Sequence, residues 1–358
     1  MEKSIFNACN HVLSGHPQPS PSEILASLSA MAEASLASDR YGAGEVIEGF
    51  ERKIAALLGK PAAVFMPTGT MAQQVALRIW SDRAPNRRIG YHATSHLELH
   101  EYKAHALLHG LIGIHVGSPH EIITPDHVEE ALQEPLAALL YELPQREIGG
   151  PLPSWDQLQE IAANCRKRGT RLHMDGARLW ESQPHFGKSY AEINSVFDSV
   201  YVSFYKGIGG LAGAVLAGPE DFVAEARVWM RRHGGNLITL FPYVLSAIQN
   251  FDRRLPRMEA YCKAAQKVAE ELKRIPGIQL TPDPPVTNMF HIFIPGDRAV
   301  LEAASLEIAR TEKIQLFRKL APTVLPRLHR YEFAAGDHTL QFPMHRIPEL
   351  FWRVLKAR

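Results

Sequence analysis

Cysteine is scarce in this sequence: the three cysteines among 358 residues are Cys9, Cys165 and Cys262. An odd number at such wide spacing argues against a disulfide framework and against a zinc cluster. The sequence therefore predicts a protein of a reducing compartment that has no metal site.

Neither sign of charge is in excess, and long apolar runs are missing. The 39 lysines and arginines are balanced by 38 aspartates and glutamates, which indicates neither a nucleic acid nor an anionic membrane as partner. No segment is long enough to span a membrane, and MEKSIFNACN at the start is not typical of a signal peptide. We expect a cytoplasmic protein whose partner is a small molecule.

What the sequence does contain is an alternation of short apolar runs with helical patterns. The strand-like runs are AAVFM (62–66), RRIGY (87–91), IGIHV (112–116), AALLYEL (137–143), RLHMD (171–175), SVYVSFY (199–205) and LAGAVLA (211–217). Between them lie helical patterns such as 70–80, 95–108 and one that Ser154 opens with a capping box to Gln157. This alternation predicts an α/β fold with a mostly parallel sheet, which binds ligands at the carboxyl ends of its strands.

The alternation changes after about residue 250. A long helical pattern (255–273) leads into the apolar run NMFHIFI (288–294), and a terminal helix closes the chain. We therefore expect three parts. They are an N-terminal arm with a first helix (1–40), a large α/β domain (41–250) and a smaller C-terminal α+β domain (251–358).

Two residues suited to chemistry end consecutive strand candidates. Asp175 ends RLHMD, where a carboxylate can keep a pyridine nitrogen protonated, as pyridoxal phosphate (PLP) requires; an isolated strand-end aspartate more often caps a turn. Lys206 follows SVYVSFY, where burial lowers the pKa of a lysine and makes its amine nucleophilic; a surface lysine is the ordinary alternative. Their order and their separation of 31 residues fit one strand–helix–strand step and are more specific than either residue alone.

The segment PTGTMAQQ (67–74) places Gly69 and Thr70 in the first turn of a helix that follows a strand. Helix N-termini bind phosphate through free N–H groups and the helix dipole. The alternative is a plain N-cap at Thr68 or Thr70 without an anion.

The segment HATSHLELHE (92–101) is rich in histidine. His96, in the helix after the next strand, is placed to cover a cofactor ring or to move a proton. The residues alone do not choose between His96 and its neighbours His92, His100 and His105.

Taken together, these segments resemble the threonine aldolase / aromatic amino-acid β-eliminating lyase family of PLP enzymes, which have fold type I. The matching segments are YGAGEVIEGFERKIAALLGKPAAVFMPTGTMAQQ (41–74), the His96 region, LHMDGARLW (172–180), the Lys206 segment and RRHGGN (231–236). They follow the order of the family and cover most of residues 41–236. The DGAR motif and the Lys-Gly pair are specific to the family, whereas the C-terminal match is loose.

The resemblance implies PLP as cofactor and a role for each candidate. Lys206 would form the Schiff base and Asp175 would pair with the ring nitrogen. Gly69 and Thr70 would hold the phosphate. His96 would stack on the ring and serve as a candidate base.

The resemblance also implies a substrate contact and an assembly. Arg178, in DGAR, would bind the substrate carboxylate, for which its fork of donors is suited; a structural salt bridge is an equal alternative. The family shares active sites between subunits, so we expect a homodimer or homotetramer. Arg231 and Arg232 are the candidates for reaching a neighbouring site.

The chain departs from the family pattern at four positions. It has Gly44 where an acidic residue is common, Gln145 where the Leu-Glu-Asn-Thr-His run has its histidine, Tyr205 where a serine is usual, and Gln341 near an arginine that helps to hold the substrate carboxylate. Arg330 and Arg346 are the candidates to replace that arginine. The departures leave the cofactor residues intact and concern the substrate.

We therefore expect a PLP-dependent lyase that cleaves a β-hydroxy-α-amino acid to glycine and an aldehyde. The alternatives are β-elimination on another β-substituted amino acid and a catalytically silent PLP-fold binding protein. An aminotransferase fits the resemblance less well. Because of Gln145 and Gln341, we expect weak cleavage of threonine itself.

Overall fold

The computed structural model describes residues 2–32 and 36–357. The chain forms two compact units: a small unit of Met1–Gln18, Ile148–Pro151 and Arg257–Arg358, and a large unit of Pro19–Glu147 and Leu152–Pro256. The expected ranges 1–40, 41–250 and 251–358 stay a prediction. In this division the first residues of the chain group with the C-terminal ones.

In the described part of the chain, the helices are α1 (Glu2–Asn7), α2 (Pro21–Met31), α3 (Glu45–Leu58), α4 (Gly69–Arg83), α5 (His96–Leu99), α6 (Ala104–His109), α7 (Pro125–Ala131), α8 (Trp155–Lys167), α9 (Leu179–Phe186), α10 (Tyr190–Asn194), α11 (Glu220–Arg232), α12 (Phe241–Arg254), α13 (Met258–Lys273), α14 (Arg298–Glu312) and α15 (Ile347–Lys356). The strands are β1 (His11–Val12), β2 (Ala62–Met66), β3 (Arg88–Tyr91), β4 (Ile112–His115), β5 (Ala138–Glu142), β6 (Arg171–Gly176), β7 (Ser199–Ser203), β8 (Ala214–Gly218), β9 (Gln279–Thr281), β10 (Met289–Pro295), β11 (Ile314–Gln315), β12 (Ala321–Pro322) and β13 (Leu328–Ala334). No helix in these ranges is both long and apolar enough to cross a membrane.

The large unit is built on a seven-stranded sheet in the order β2-β8-β7-β6-β5-β3-β4. Only β8 runs antiparallel to its neighbours, β2 and β7, so the expected α/β fold with a mostly parallel sheet is confirmed. Within the sheet, Glu142 pairs with Asp175, and Asp175 pairs with Tyr201. Because parallel strands end at a common edge, the residues that follow β3, β5, β6 and β7 lie along one side of the sheet.

Helix α4 begins close against this sheet. Thr68 is its N-cap, and its Oγ1 accepts a hydrogen bond from the Met71 N–H at 3.2 Å. A Cβ added to Gly69 would lie 1.9 Å from Tyr201 Oη on β7. Any side chain at position 69 would therefore push the start of the helix away from the sheet.

The expected single helix over 95–108 is wrong, since α5 and α6 are separate. Between them Tyr102 and Lys103 have φ angles of 50° and 58°, and this left-handed conformation ends a right-handed helix. The break places Glu101 in the interior, where its carboxylate accepts hydrogen bonds from Gln74 Nε2 at 2.6 Å and His96 Nδ1 at 2.9 Å. Helical periodicity cannot reveal such a turn, because it depends on these polar contacts.

The small unit contains an antiparallel sheet in the order β12-β13-β10-β9 and a parallel pair of β1 with β11. The sequence indicated β10 but missed β13, because LHRYEFA mixes polar and apolar residues and forms no apolar run. The expected helix over 255–273 begins later, at Met258, after a 3₁₀ turn at Leu255–Arg257.

Candidate active site

Asp175 lies near the carboxyl end of β6 and is 3% exposed. Its Oδ1 accepts a hydrogen bond from the Ala177 N–H at 3.0 Å, which fixes the carboxylate. Its Oδ2 accepts no hydrogen bond from the described residues, and this atom keeps some exposure to solvent. One oxygen is thus anchored, and the other is available to a cationic N–H donor.

Lys206 follows the end of β7 and interacts electrostatically with Asp175. Burial, and then the charge of Arg178, lower the pKa of Lys206, while the carboxylates of Asp175 and Glu142 act in the opposite direction. The structure therefore brings the sequence-predicted Lys206, Asp175 and Arg178 together at one edge of the sheet. A lysine with a lowered pKa has a larger fraction of neutral, nucleophilic amine.

The turn after Lys206 is held in place by a buried arginine. The Arg254 guanidinium, buried under the turn, donates a hydrogen bond from Nη1 to the Ile208 carbonyl at 2.6 Å. A Cβ at Gly209, whose φ is +76°, would lie 1.9 Å from that same Nη1. The glycine-rich turn thus lets a buried arginine fix the backbone beside the lysine.

Gly69 and Thr70 occupy the first turn of α4, beside β7. The first N–H groups of a helix have no intrahelical acceptors, and Thr68 Oγ1 takes only the N–H of Met71. The hydroxyl of Thr70 makes no hydrogen bond with the described residues. Two backbone donors and one hydroxyl are therefore open to an anion at this helix end.

The structure distinguishes His96 from the histidines around it. Its Nδ1 bonds to Glu101, and its side chain is 34% exposed, with Nε2 free of partners in the described ranges. Its neighbours are engaged: His92 with backbone carbonyls of Ser118 and Glu121, His100 with Glu147, and His105 with Tyr91. A carboxylate at Nδ1 holds the proton there, so Nε2 of His96 is left as a proton acceptor.

Glu142 is a site residue that the sequence analysis missed. It ends β5 directly opposite Asp175, and burial together with the Asp175 charge raises the pKa of Glu142. Its Oε1 accepts the Arg146 N–H at 3.2 Å and its Oε2 accepts Gln145 Nε2 at 3.1 Å. Its position at a strand end, like that of Asp175, was the signal that could have identified it.

The raised pKa of Glu142 predicts the pH dependence of the stability of the cofactor-free protein. The folded state keeps this proton above the ordinary pKa of 4.5, whereas the unfolded chain loses it. The contribution of Glu142 to the free energy of unfolding is therefore full below pH 4.5 and is lost as the pH rises through the raised pKa. We expect Glu142→Gln to gain stability relative to the unmodified protein over this rise, measured by urea unfolding at a series of pH values.

Glu98→Gln is the matched control for this measurement. The Tyr91 hydroxyl, which donates to Glu98 at 2.8 Å, lowers the pKa of Glu98, so its contribution is present above pH 4.5. The Glu98 variant should lose stability, relative to the unmodified protein, as the pH rises. Parallel responses of the two variants would contradict the assignment of the raised pKa to Glu142.

Arg178 precedes α9 and is half-buried. Its guanidinium makes no ion pair with any described residue, so the alternative of a structural salt bridge has no support in these ranges. Arg146 differs, because its Nη1 bonds to Glu147 Oε1 at 2.8 Å. Among the arginines close to Lys206, Arg178 is therefore the one suited to bind a carboxylate.

Of the other departures from the family pattern, Gly44 has a local explanation. A Cβ at Gly44 would lie 3.0 Å from the Asp39 backbone, which leaves no room for an acidic side chain without a shift. In the small unit, Arg346 bonds to Glu312 at 2.8 Å and Glu349 at 3.0 Å, so its guanidinium is engaged. Gln341 is exposed at the end of a 3₁₀ turn. Arg330 lies within β13.

The arginines proposed to reach a neighbouring subunit lie at the end of α11. The Arg232 guanidinium lies over the Trp229 ring, 4.5 Å from its centroid. Arg231 is exposed. Their contribution to another subunit's site stays a prediction.

Comparison with known proteins gives the family. Residues 24–294 match the family model described as "Beta-eliminating lyase". This chain belongs to the beta-eliminating lyase family. The resemblance drawn from the DGAR and Lys206 segments is thereby confirmed.

Similar proteins agree with this membership. A putative L-allo-threonine aldolase from Listeria monocytogenes EGD-E is 43% identical, with 99% of this chain and 98% of that chain covered and a TM-score of 0.93. A putative aromatic amino acid beta-eliminating lyase/threonine aldolase from Exiguobacterium sp. 255-15 is 41% identical, covers 100% and 99%, and also has a TM-score of 0.93. The probable low-specificity L-threonine aldolase 2 of Arabidopsis thaliana is 27% identical over 75% of this chain and 78% of its own. The fold is fold type I of the PLP enzymes, and the expected enzyme class, a lyase, is confirmed.

Proposed function

We propose that this family member binds PLP and cleaves the Cα–Cβ bond of a β-hydroxy-α-amino acid, giving glycine and an aldehyde. The observation that carries the proposal is the grouping of Lys206, Asp175 and Arg178 at one edge of the sheet. Lys206 has a lowered pKa, and Arg178 is without a carboxylate partner in the described ranges. The likeness to proteins named as threonine aldolases supports the reaction type.

The residues present fit PLP. The open first turn of α4 suits a phosphate, with Gly69 and Thr70 as donors. The unengaged Oδ2 of Asp175 suits a protonated ring nitrogen, and Lys206 supplies the amine. When bound, the cofactor would provide the electron sink that accepts the charge left on Cα.

The remaining steps fall to side chains of this chain. Arg178 binds the substrate α-carboxylate through its two parallel N–H donors and so orients Cα. His96 Nε2 takes the proton of the β-hydroxyl as the Cα–Cβ bond breaks. Glu101, bonded to His96 Nδ1 and held by Gln74 of α4, is a positioning residue that keeps His96 in the required tautomer.

The expected substrate preference follows from two glutamines, Gln145 and Gln341, which replace a histidine and an arginine of the family pattern. Gln145 cannot accept a proton at neutral pH, and the exposed Gln341 carries no charge for a carboxylate. A lost charged contact lowers binding or rate by roughly one to two powers of ten. We therefore expect low kcat/KM for threonine and a higher value for another β-substituted amino acid.

A steady-state comparison of threonine, allo-threonine, phenylserine and β-chloroalanine tests this expectation. A faster reaction of β-chloroalanine than of every β-hydroxy substrate would favour β-elimination over aldol cleavage. Efficient cleavage of threonine would show that Gln145 and Gln341 are neutral replacements. A protein that binds PLP but converts none of the four would contradict the proposed reaction.

The assembly is also proposed on the basis of the family. We propose a homodimer or homotetramer, in which subunits share active sites. Several apolar side chains are exposed around α6, a common feature of subunit interfaces. They are Leu99, Tyr102, Leu107, Leu108 and Ile112. The cytoplasmic location expected from the sequence stays a prediction.

A further inference from the structure

A buried network of hydrogen bonds joins α4 to the two strands that lead to the site. At its centre is His173 on β6, which is 0% exposed. The Nε2 of His173 lies 2.7 Å from Gln73 Oε1 on α4, and its Nδ1 lies 2.7 Å from Ser199 Oγ on β7. Trp80, also on α4, donates a hydrogen bond from Nε1 to Ser199 Oγ at 2.8 Å. The network therefore spans one helix and two neighbouring strands of the large unit.

The indole of Trp80 fixes the direction of these hydrogen bonds, because it can only donate. Ser199 Oγ accepts this N–H, and the only other partner of the Ser199 side chain in the described ranges is His173 Nδ1. The buried Ser199 hydroxyl therefore donates to Nδ1, and His173 carries its own proton on Nε2. That N–H is donated to Gln73 Oε1. Burial lowers the pKa of His173 to about 3, so the ring stays neutral and keeps this arrangement at neutral pH.

Gln73 and His173 each lie close in the chain to residues of the proposed cofactor site. Gln73 is one helical turn after Gly69 and Thr70, the proposed phosphate donors. His173 precedes Asp175 by two residues on β6, so both side chains project from the same face of the sheet. The hydrogen bond between Gln73 and His173 thus connects the open first turn of α4 with the strand that presents the carboxylate for the ring nitrogen.

Stability alone does not explain this network. The Nε2 of Gln73 is buried and has no hydrogen-bond partner among the described residues, and an unsatisfied buried donor destabilises a fold. Apolar side chains of similar size would fill the same space without that cost. What the polar pair provides in addition is a fixed separation and direction, because a hydrogen bond weakens when its atoms are displaced.

We propose that His173 is a positioning residue that sets the distance between the first turn of α4 and Asp175. Its hydrogen bond to Gln73 holds the helix and the strand at the separation at which one PLP molecule can contact both, through its phosphate and its ring nitrogen. This inference rests on the proposed function. A ligand held at two ends binds more tightly when both contacts are already spaced for it, and the gain falls when the spacing changes. Because His173 is fully buried, it acts on the cofactor only through the elements that it joins.

The test measures the binding of PLP and of inorganic phosphate to the same variants. The PLP-loaded enzyme is dialysed to equilibrium against buffers with increasing inorganic phosphate, which gives the dissociation constant of PLP and the inhibition constant of phosphate. His173→Leu removes both hydrogen bonds of the imidazole and should raise the dissociation constant of PLP by about tenfold or more. The inhibition constant of phosphate should remain unchanged, because phosphate needs only the first turn of α4.

Two further variants separate positioning from stability. His173→Gln keeps an N–H donor for Gln73, so it should restore most of the PLP affinity that the leucine variant loses. Trp80→Phe keeps the stacking on Phe222, whose ring centroid lies 4.7 Å away, but removes the hydrogen bond to Ser199. It should lower the thermal midpoint of unfolding and leave the dissociation constant of PLP unchanged.

Gln73→Met keeps the proposal testable if His173→Leu does not fold, because it removes the acceptor Oε1 and leaves His173 in place. It should weaken the binding of PLP and leave that of phosphate unchanged. Binding of PLP and phosphate weakened by the same factor, or a PLP dissociation constant unchanged in both variants, would overturn the role of His173 and leave the proposed function intact. An unmodified enzyme that binds no PLP would instead overturn the proposed function.

Discussion

Lys206→Ala is expected to reduce turnover by roughly a thousandfold or more, because it removes the amine that would bind the cofactor. The side chain is partly buried, and burial followed by the charge of Arg178 lowers its pKa, which favours the neutral, nucleophilic amine. The measurement is single-turnover cleavage of a β-hydroxy-α-amino acid, with the cofactor absorbance recorded beside it. Residual activity within tenfold of the unmodified enzyme would contradict the assignment.

Lys206→Arg is the matched variant for this experiment. It keeps the positive charge beside Asp175 and Glu142 but cannot form an imine with the cofactor. We expect it to be as inactive as the alanine variant while it retains more of the stability. Activity in the arginine variant would indicate that only the charge at position 206 is required.

Asp175→Asn is expected to retain the fold and to lower turnover by about a hundred- to a thousandfold, the range for loss of one preorganised electrostatic contact. The asparagine can still accept the Ala177 N–H through its carbonyl oxygen. Its NH₂ group, however, would face the ring nitrogen as a donor and could not hold that nitrogen protonated. The measurements are kcat with a β-hydroxy-α-amino acid and the thermal midpoint of unfolding.

Asp198→Asn provides the structural comparison. Asp198 precedes β7 and accepts the Leu172 N–H and the Arg171 guanidinium, each at 2.8 Å, at the other end of the strands. We expect this variant to lose stability and to keep its kcat. An Asp175 variant that behaves in the same way would mark Asp175 as a turn residue and remove the argument for an electron sink.

The sequence was sufficient for the fold because burial produces a pattern that can be read locally. The strand candidate at 62–66 coincides with β2, and the capping box of Ser154 with Gln157 opens α8 as expected. The order of Asp175 and Lys206 follows from the same pattern, since each stands at the end of a buried strand. These features depend on neighbours in the chain and on the parallel sheet alone.

The polar contacts of the site could not be predicted from such local patterns in the sequence. Glu101 enters the interior because two residues adopt left-handed conformations, and nothing in the helical pattern of 95–108 signals that break. Gln145 Nε2 bonds to Thr94 Oγ1 at 3.3 Å, although the two residues are 51 positions apart in the sequence. Such contacts join distant segments, so only the folded arrangement reveals them.

The most direct test of the central claim is to identify which lysine carries PLP. The purified PLP-loaded enzyme is reduced with borohydride, digested, and mapped by mass spectrometry. Lys60 is the informative competitor, because burial lowers its pKa to about 8. Its amine, however, donates to the Asn194 carbonyl at 2.8 Å and interacts with Asp198, which precedes β7, whereas Lys206 follows that strand. The account predicts reduced cofactor on Lys206 alone; cofactor on Lys60 or any other lysine, with Lys206 unmodified, would contradict it.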